Sequence, residues 1–227
     1  MAKLFKDLCR ALELTESEND EHADTIREVL RKPEFNINMH GRWDRNMYYL
    51  RGALHVACGK KTRSHVGAQL LLSDERCDVN ILDFIGRTAL IETVIKVKHH
   101  DDKHAKIIRL LLDHPRIDVS IEGWFAACTA LQEGCSTHDA HVGVQLLLDD
   151  ARCDVNLQNV SGETPLMMAA GWAQSLDKKH GKTIQILLQN SNTDINSLNP
   201  RNNDSALAIL LRKARAQPMF ASSIDQL

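Results

Sequence analysis

One phrase recurs along this chain and limits what it can fold into. It reads LLLSDERCDVN to Asn80, LLLDHPRIDVS to Ser120, LLLDDARCDVN to Asn156 and ILLQNSNTDIN to Asn196, with a weaker copy, VLRKPEFNIN, ending at Asn38. The end points lie 42, 40, 36 and 40 residues apart. Self-similarity at a period of this size marks a solenoid, in which one supersecondary unit stacks on copies of itself. Such an array grows without enlarging a single core, so the 227 residues predict one continuous domain rather than two globular ones. Its usual product is an extended surface, not a catalytic pocket.

Residues 156–190 carry the cleanest unit. Asn159-Val160-Ser161-Gly162 is a turn signal. Thr164 is a helix N-cap, and Pro165 sits at the first helical position, where its missing N–H costs nothing. Leu166, Met167, Ala169 and Ala170 then predict a short helix with small residues that allow close approach. A polar stretch near Ser175–Lys179 separates it from a second helix with the apolar stripe Ile184, Ile186, Leu187 and Leu188. That helix ends near Gln189, and the chain returns extended through Thr193–Asn196. Thr88-Ala-Leu, Thr129-Ala-Leu, Ser205-Ala-Leu and Gly52-Ala-Leu-His open the first helices of other copies. Helices at Ala2–Glu13 and His22–Lys32 form a divergent N-terminal unit.

Gly162-Glu-Thr-Pro-Leu-Met-Met-Ala-Ala170, Gly86-Arg-Thr-Ala-Leu90, Ala53-Leu-His-Val-Ala57 and the terminal Asp-Val-Asn at 78–80 and 154–156 together resemble ankyrin repeats. The resemblance covers roughly residues 20 to 215. It implies an all-α solenoid of about five to six helix-loop-helix units with short β-hairpin-like fingers. The period departs from the family's: about 33 residues there, against 36 to 42 here. The excess falls between the two helices of a unit and in one residue added before each Asp-Val-Asn. A HEAT-type array is the rival by period alone, at about 40 to 47 residues, but explains neither the Asp-Val-Asn returns nor the Thr-Ala-Leu starts. The expected organisation is an array over 1–215 followed by a tail over 216–227. Within the array, a capping unit covers 1–38, units end near 80, 120, 156 and 196, and a partial unit covers 197–215. The charged residues of the first helices, among them Lys3, Lys6, Asp7 and Arg10, suit the polar outer face that a terminal unit needs.

Composition narrows the function classes. Net charge is -2, with acids and bases interleaved, which gives no pull toward nucleic acid or an anionic membrane. No stretch approaches the roughly 18 apolar residues of a membrane span, and the charged start MAKLFKDLCRALEL is an amphipathic helix rather than a signal peptide. Cys77 and Cys153 occupy a slot that elsewhere holds Phe35, Ile117 or Thr193, so they read as buried thiols; the six cysteines show no CxxC spacing. The compartment expected on these grounds is the cytoplasm or nucleus. There is no Gly-x-Ser-x-Gly, phosphate-cradling glycine loop or His-Glu-x-x-His, and the reading is non-enzymatic, without a cofactor.

What remains is binding. Of ten aromatic residues, six lie where finger tips are expected: Trp43, Tyr48, Tyr49, Phe84, Trp124 and Phe125. Exposed Trp and Tyr dominate interface hot spots, although a long finger can also fold its aromatics back onto the stack. On the first helices, the position two after the Leu should face the concave groove. It holds Val56, Glu92, Glu133, Met168 and Ile209, with Trp172 one turn beyond Met168. The partner-binding set is therefore Trp43, Tyr48, Phe84, Trp124, Phe125, Glu92, Glu133, Met168 and Trp172, and the partner a protein segment. Self-association through the finger aromatics is an alternative. A metal-binding solenoid using His99-His100-Asp101-Asp102 and His104 is another, although a solvated loop explains those residues as well and no metal is assigned. His65, His104, His141 and His180, near the starts of second helices, read as structural, bonding backbone groups of a neighbouring loop. The resemblance also implies hydroxylation at Asn80 and Asn156, each with a Leu eight residues before it (Leu72, Leu148). The structural alternative is an amide bridging backbone groups in a tight turn.

Overall fold

A computed structural model describes residues 2–42, 50–59, 62, 64–97, 102–123, 128–173 and 178–216. The first helices of the units are α1 (Ala2–Leu14), α3 (Ala53–Ala57), α5 (Ala89–Val94), α7 (Ala130–Ser136), α9 (Pro165–Trp172) and α11 (Ala206–Ala216). The second helices are α2 (Glu21–Leu30), α4 (Val66–Leu72), α6 (Asp102–Leu112), α8 (His141–Leu148) and α10 (Lys178–Gln189). Strands β1 (His40–Arg42) and β2 (Leu50–Gly52) pair antiparallel, with His40 opposite Gly52, and make the one hairpin among the described residues.

Each helix packs on its own partner and on the equivalent helix of the next unit. Thus α1, α3, α5, α7, α9 and α11 line up as one layer and α2, α4, α6, α8 and α10 as a second. This is an all-α solenoid. The two layers differ because their sequences differ. Every residue of α9 from Pro165 to Ala170 is buried, which is what a helix apolar on all sides requires, and so is every residue of α5 from Ala89 to Val94, Glu92 and Thr93 included. By contrast α6 buries His104, Ala105, Ile107, Ile108 and Leu111, a stripe at helical spacing, and leaves its other face to solvent.

The helix starts follow the hydroxyl signals. The Thr88, Thr129 and Thr164 side chains accept from Ile91, Gln132 and Met167 N–H; Gln132 completes a capping box at Thr129, and Pro165 stands at the first turn of α9. Asp20 caps α2. Burial alone would raise its carboxyl, but backbone N–H groups of Ser17, Glu16 and Ala23 donate to it and hold it down at about 2. Before α5, α9 and α11 the chain makes a tight turn around an Asp or Asn. Asp83 Oδ1 accepts from Ile85 and Arg87 N–H, and Asn159 Oδ1 accepts from Ser161 and Glu163 N–H. Gly86 and Gly162 close these turns at φ 74° and 78°, a region that penalises a side chain.

Small residues set the helix spacing. A Cβ built on Gly134 would lie 2.9 Å from Val94 Cγ1 and 3.0 Å from Val144 Cγ2, so α7 can approach α5 and α8 only because that atom is absent. All six cysteines carry reduced thiols. Burial pushes Cys58, Cys77 and Cys153 up to about 12, and Cys9 and Cys135 higher still, so these are core fillers rather than nucleophiles.

Candidate functional site

The recurring phrase builds the joints between units. Its final asparagine sends both ends of the amide to the next copy. Asn38 Nδ2 donates to Arg76 O at 2.7 Å while its Oδ1 accepts from Asp78 N–H at 2.8 Å. Asn80 does the same with Arg116 O (2.8 Å) and Asp118 N–H (2.9 Å), and Asn156 with Asn192 O and Asp194 N–H (both 2.7 Å). The local turn is held instead by the aspartate two residues earlier: Asp78 Oδ1 accepts from Asn80 N–H and Asp154 Oδ1 from Asn156 N–H. The expected amide bridge is therefore real, but it runs between units rather than within a turn. Asn80 and Asn156, where the resemblance implied hydroxylation, are both rungs of this ladder.

A second joint escaped the sequence reading. Arg76, Arg116 and Arg152 each stand one residue before the core slot of the phrase, and each reaches back to carbonyls of the preceding unit. Arg76 donates to Leu30 O at 2.6 Å, Arg116 to Glu75 O and Cys77 O at 2.9 and 2.8 Å, and Arg152 to Leu112 O at 2.7 Å. The signal was present in R-C-D, R-I-D and R-C-D, three arginines in one register.

The surface left over is a comb of turn tips. Four residues after the phrases ending at Asn80, Asn156 and Asn196, the tip position holds Phe84, Val160 and Pro200; the same step in sequence leads from Asn38 to Arg42 and from Ser120 to Trp124. Phe84 is 53% exposed and Val160 59%, and Pro200 is also exposed. Beside Phe84 lies an open, mostly apolar depression of 560 Å³, lined by His40, Asp78, Asn80, Ile81, Leu82, Asp83 and Phe84. Its wall is stiffened by His40, whose Nε2 donates to Leu82 O at 2.7 Å, from the hairpin to the turn of the following unit. Trp43, Tyr48, Tyr49, Trp124 and Phe125 lie outside the described residues.

The inner-helix positions divide. Glu133 is half-buried on α7, and Trp172, at the end of α9, is 54% exposed. Val56 and Met168 are buried, so they are core residues rather than groove lining. Glu92 is also fully buried, which corrects the expectation of an open acidic groove centre. Lys96, one turn on along α5, pairs with its Oε1, and Arg87 Nη1 stands 4.0 Å from Oε2. A carboxylate in that position is retained only because two cations neutralise it.

Among the described residues no group of three or more His, Cys, Asp or Glu is placed to hold a metal. His99, His100 and Asp101 lie outside the described residues. His104 is buried and its Nε2 donates to Gly59 O at 3.4 Å, across to the preceding unit, so it serves the fold as the structural reading expected. His55, not singled out beforehand, does likewise: fully buried, it donates from Nε2 to Arg87 O at 2.8 Å. His65 is half-buried at the start of α4, and burial, with Lys106 nearby, lowers its pKa. His141 is buried with Nδ1 3.8 Å from Asp139, and the His180 side chain is outside the described set.

Residues 101–199 match the family model for ankyrin repeats, in three copies. That stretch of the chain is built of ankyrin repeats. Among solved structures, EF0377, an ankyrin repeat protein, superposes with a TM-score of 0.67 at 17% identity, over 98% of this chain and 98% of that one. The ankyrin repeat domain of Bcl-3, described as a unique member of the IkappaB protein family, gives 0.68 at 21% identity, over 92% of this chain and 85% of that one. At such identities the likeness is one of fold. No curated protein matches the sequence. Ankyrin repeats as a class are protein-binding modules, and no described helix of this chain is long and apolar enough to cross a membrane.

Proposed function

We propose that this protein is a non-enzymatic adaptor that binds a segment of another protein along its turn tips and the adjoining inner helices. The observation that carries the reading is the register of exposed apolar residues at Phe84, Val160 and Pro200, with the apolar depression beside Phe84. Trp124 falls in the same register and Phe125 follows it, while Trp43 and Tyr48 belong to the finger over 40–52; all four are assigned to the same surface. Exposed aromatic and aliphatic tips cost solubility, and aromatic anchors beside a pocket are where interface energy concentrates. Joints made by asparagine and arginine hold neighbouring tips at fixed spacing, so little ordering cost falls on this side of a complex. Glu133 and Trp172 supply the inner-helix part of the contact.

The test is quantitative capture from a lysate of the source cell, comparing the wild type with Phe84→Ala/Val160→Ser and with Glu133→Lys/Trp172→Ala, each confirmed folded by circular dichroism. A partner weakened roughly tenfold or more by the first variant supports the tip surface. A partner weakened only by the second moves the contact to the inner helices. A partner indifferent to both overturns the proposal.

A further inference from the structure

The last unit exposes a face that every earlier unit buries. Ser205-Ala206-Leu207 is in register with Thr88-Ala89-Leu90. At the Leu position, Leu54, Leu90, Leu131 and Leu166 are 4% exposed or less, whereas Leu207 is 60% exposed. One turn on, Cys58, Val94, Cys135 and Ala170 are fully buried, and Leu211 is 45% exposed. In the phrase, Ile37, Val79, Val119 and Val155 are at most 8% exposed, and Ile195 is 52%. Beside it Asn196, exposed, occupies the rung position from which Asn38, Asn80 and Asn156 bridge to a following unit. Four residues of one stacking face are thus present in working register.

We propose that this face binds a second copy of the same chain, the two copies meeting C-terminal face to C-terminal face about a two-fold axis. The other end of the array cannot serve as the partner face. Its terminal helix α1 presents Lys3, Lys6, Asp7 and Arg10 to solvent, and a leucine face gains nothing against such a surface. Head-to-tail stacking is thereby disfavoured, and an isologous contact is what identical copies have left. Charge permits it: the last unit carries exposed Asp194 and exposed Arg215, one of each sign, while Arg212 is paired with Asp204. The footprint is about two helix diameters wide and one eleven-residue helix long, roughly 20 by 17 Å. That is small for a permanent dimer and suits a reversible one.

Sedimentation equilibrium of the full chain, from low to several hundred micromolar, decides. The expected result is an average mass that rises from 25.5 kDa toward twice that value and stops there. Leu207→Glu/Leu211→Glu, and separately Ile195→Glu, which lies outside any helix, should each return the protein to monomer with unchanged circular dichroism. Phe84→Ala should leave the dimer intact, which keeps this test separate from that of the tip surface. A monomer throughout, growth beyond the dimer, or a dimer indifferent to the face variants overturns the proposal. So does a full-length monomer whose truncation after Ala216 begins to dimerise, because the tail would then be what covers the face.

Discussion

A single amide joins each of three neighbouring pairs of units, and one joint lacks it. Asn38, Asn80 and Asn156 each make two hydrogen bonds to the following phrase, but the third phrase ends in Ser120. Its hydroxyl is too short for the crossing and donates instead to Asp118 Oδ1 at 2.6 Å, within its own turn. Replacing Ser120→Asn should complete the ladder with Arg152 O and Asp154 N–H, stabilising the chain by about 0.5–1.5 kcal/mol, the net worth of one to two such bonds. Asn80→Ala should cost about 1–2 kcal/mol, because a carbonyl and an N–H lose their partner. Urea unfolding checks both, as opposite shifts in midpoint with little change of slope. At this scale the sequence was half legible. The asparagines stood out because they recur, but their bonds were assigned to the local turn, since a sequence shows turn chemistry more readily than contacts about 36 to 40 residues away. The arginines were equally regular and were passed over, because a charged residue in a return reads as solvated surface until its carbonyl partners are known.

Helices were the most legible element. A hydroxyl before Ala-Leu or Pro-Leu, then a polar gap, then an apolar stripe, is enough to place both layers, because capping and periodicity are local properties. Which side of a first helix faces outward was not legible. The inner ones, α3, α5 and α9, are buried nearly all round, so the rule that sent Glu92, Val56 and Met168 to the groove had no polar face to work with. The Glu92-to-Lys96 spacing of four was a usable sign that the acid is paired in place. The same packing gives two glycines in first helices opposite behaviour. Ala exceeds Gly in helix propensity by about 1 kcal/mol. Gly171 has nothing within 4 Å of its built Cβ, so Gly171→Ala should stabilise by about 0.5–1 kcal/mol. Gly134 has stiff valine methyls at 2.9 and 3.0 Å, so Gly134→Ala should destabilise by about 1–3 kcal/mol through overpacking despite the same propensity gain. Thermal melts of the two variants should move in opposite directions.

Across the whole molecule, stability in a stacked array is a sum of unit and joint terms rather than one cooperative core. The middle of the stack, α5, α7 and α9, is packed on both sides, whereas α11 buries only Ala206 among its residues. Amide hydrogen exchange should therefore run fastest in α11 and slowest in α5 and α7; uniform protection along the array would contradict the additive picture. The reach of the joints also bears on how the protein is made. The longest bridge named, from Gln69 Nε2 to Glu18 Oε1 across the first joint, spans 51 residues, and Gln132 Nε2 finds Leu157 O only 25 residues on. A ribosome adds about 5–20 residues per second. Each newly finished unit therefore waits only seconds for its neighbour to emerge and seal it, and the array can be completed one joint at a time while its far end is still being translated.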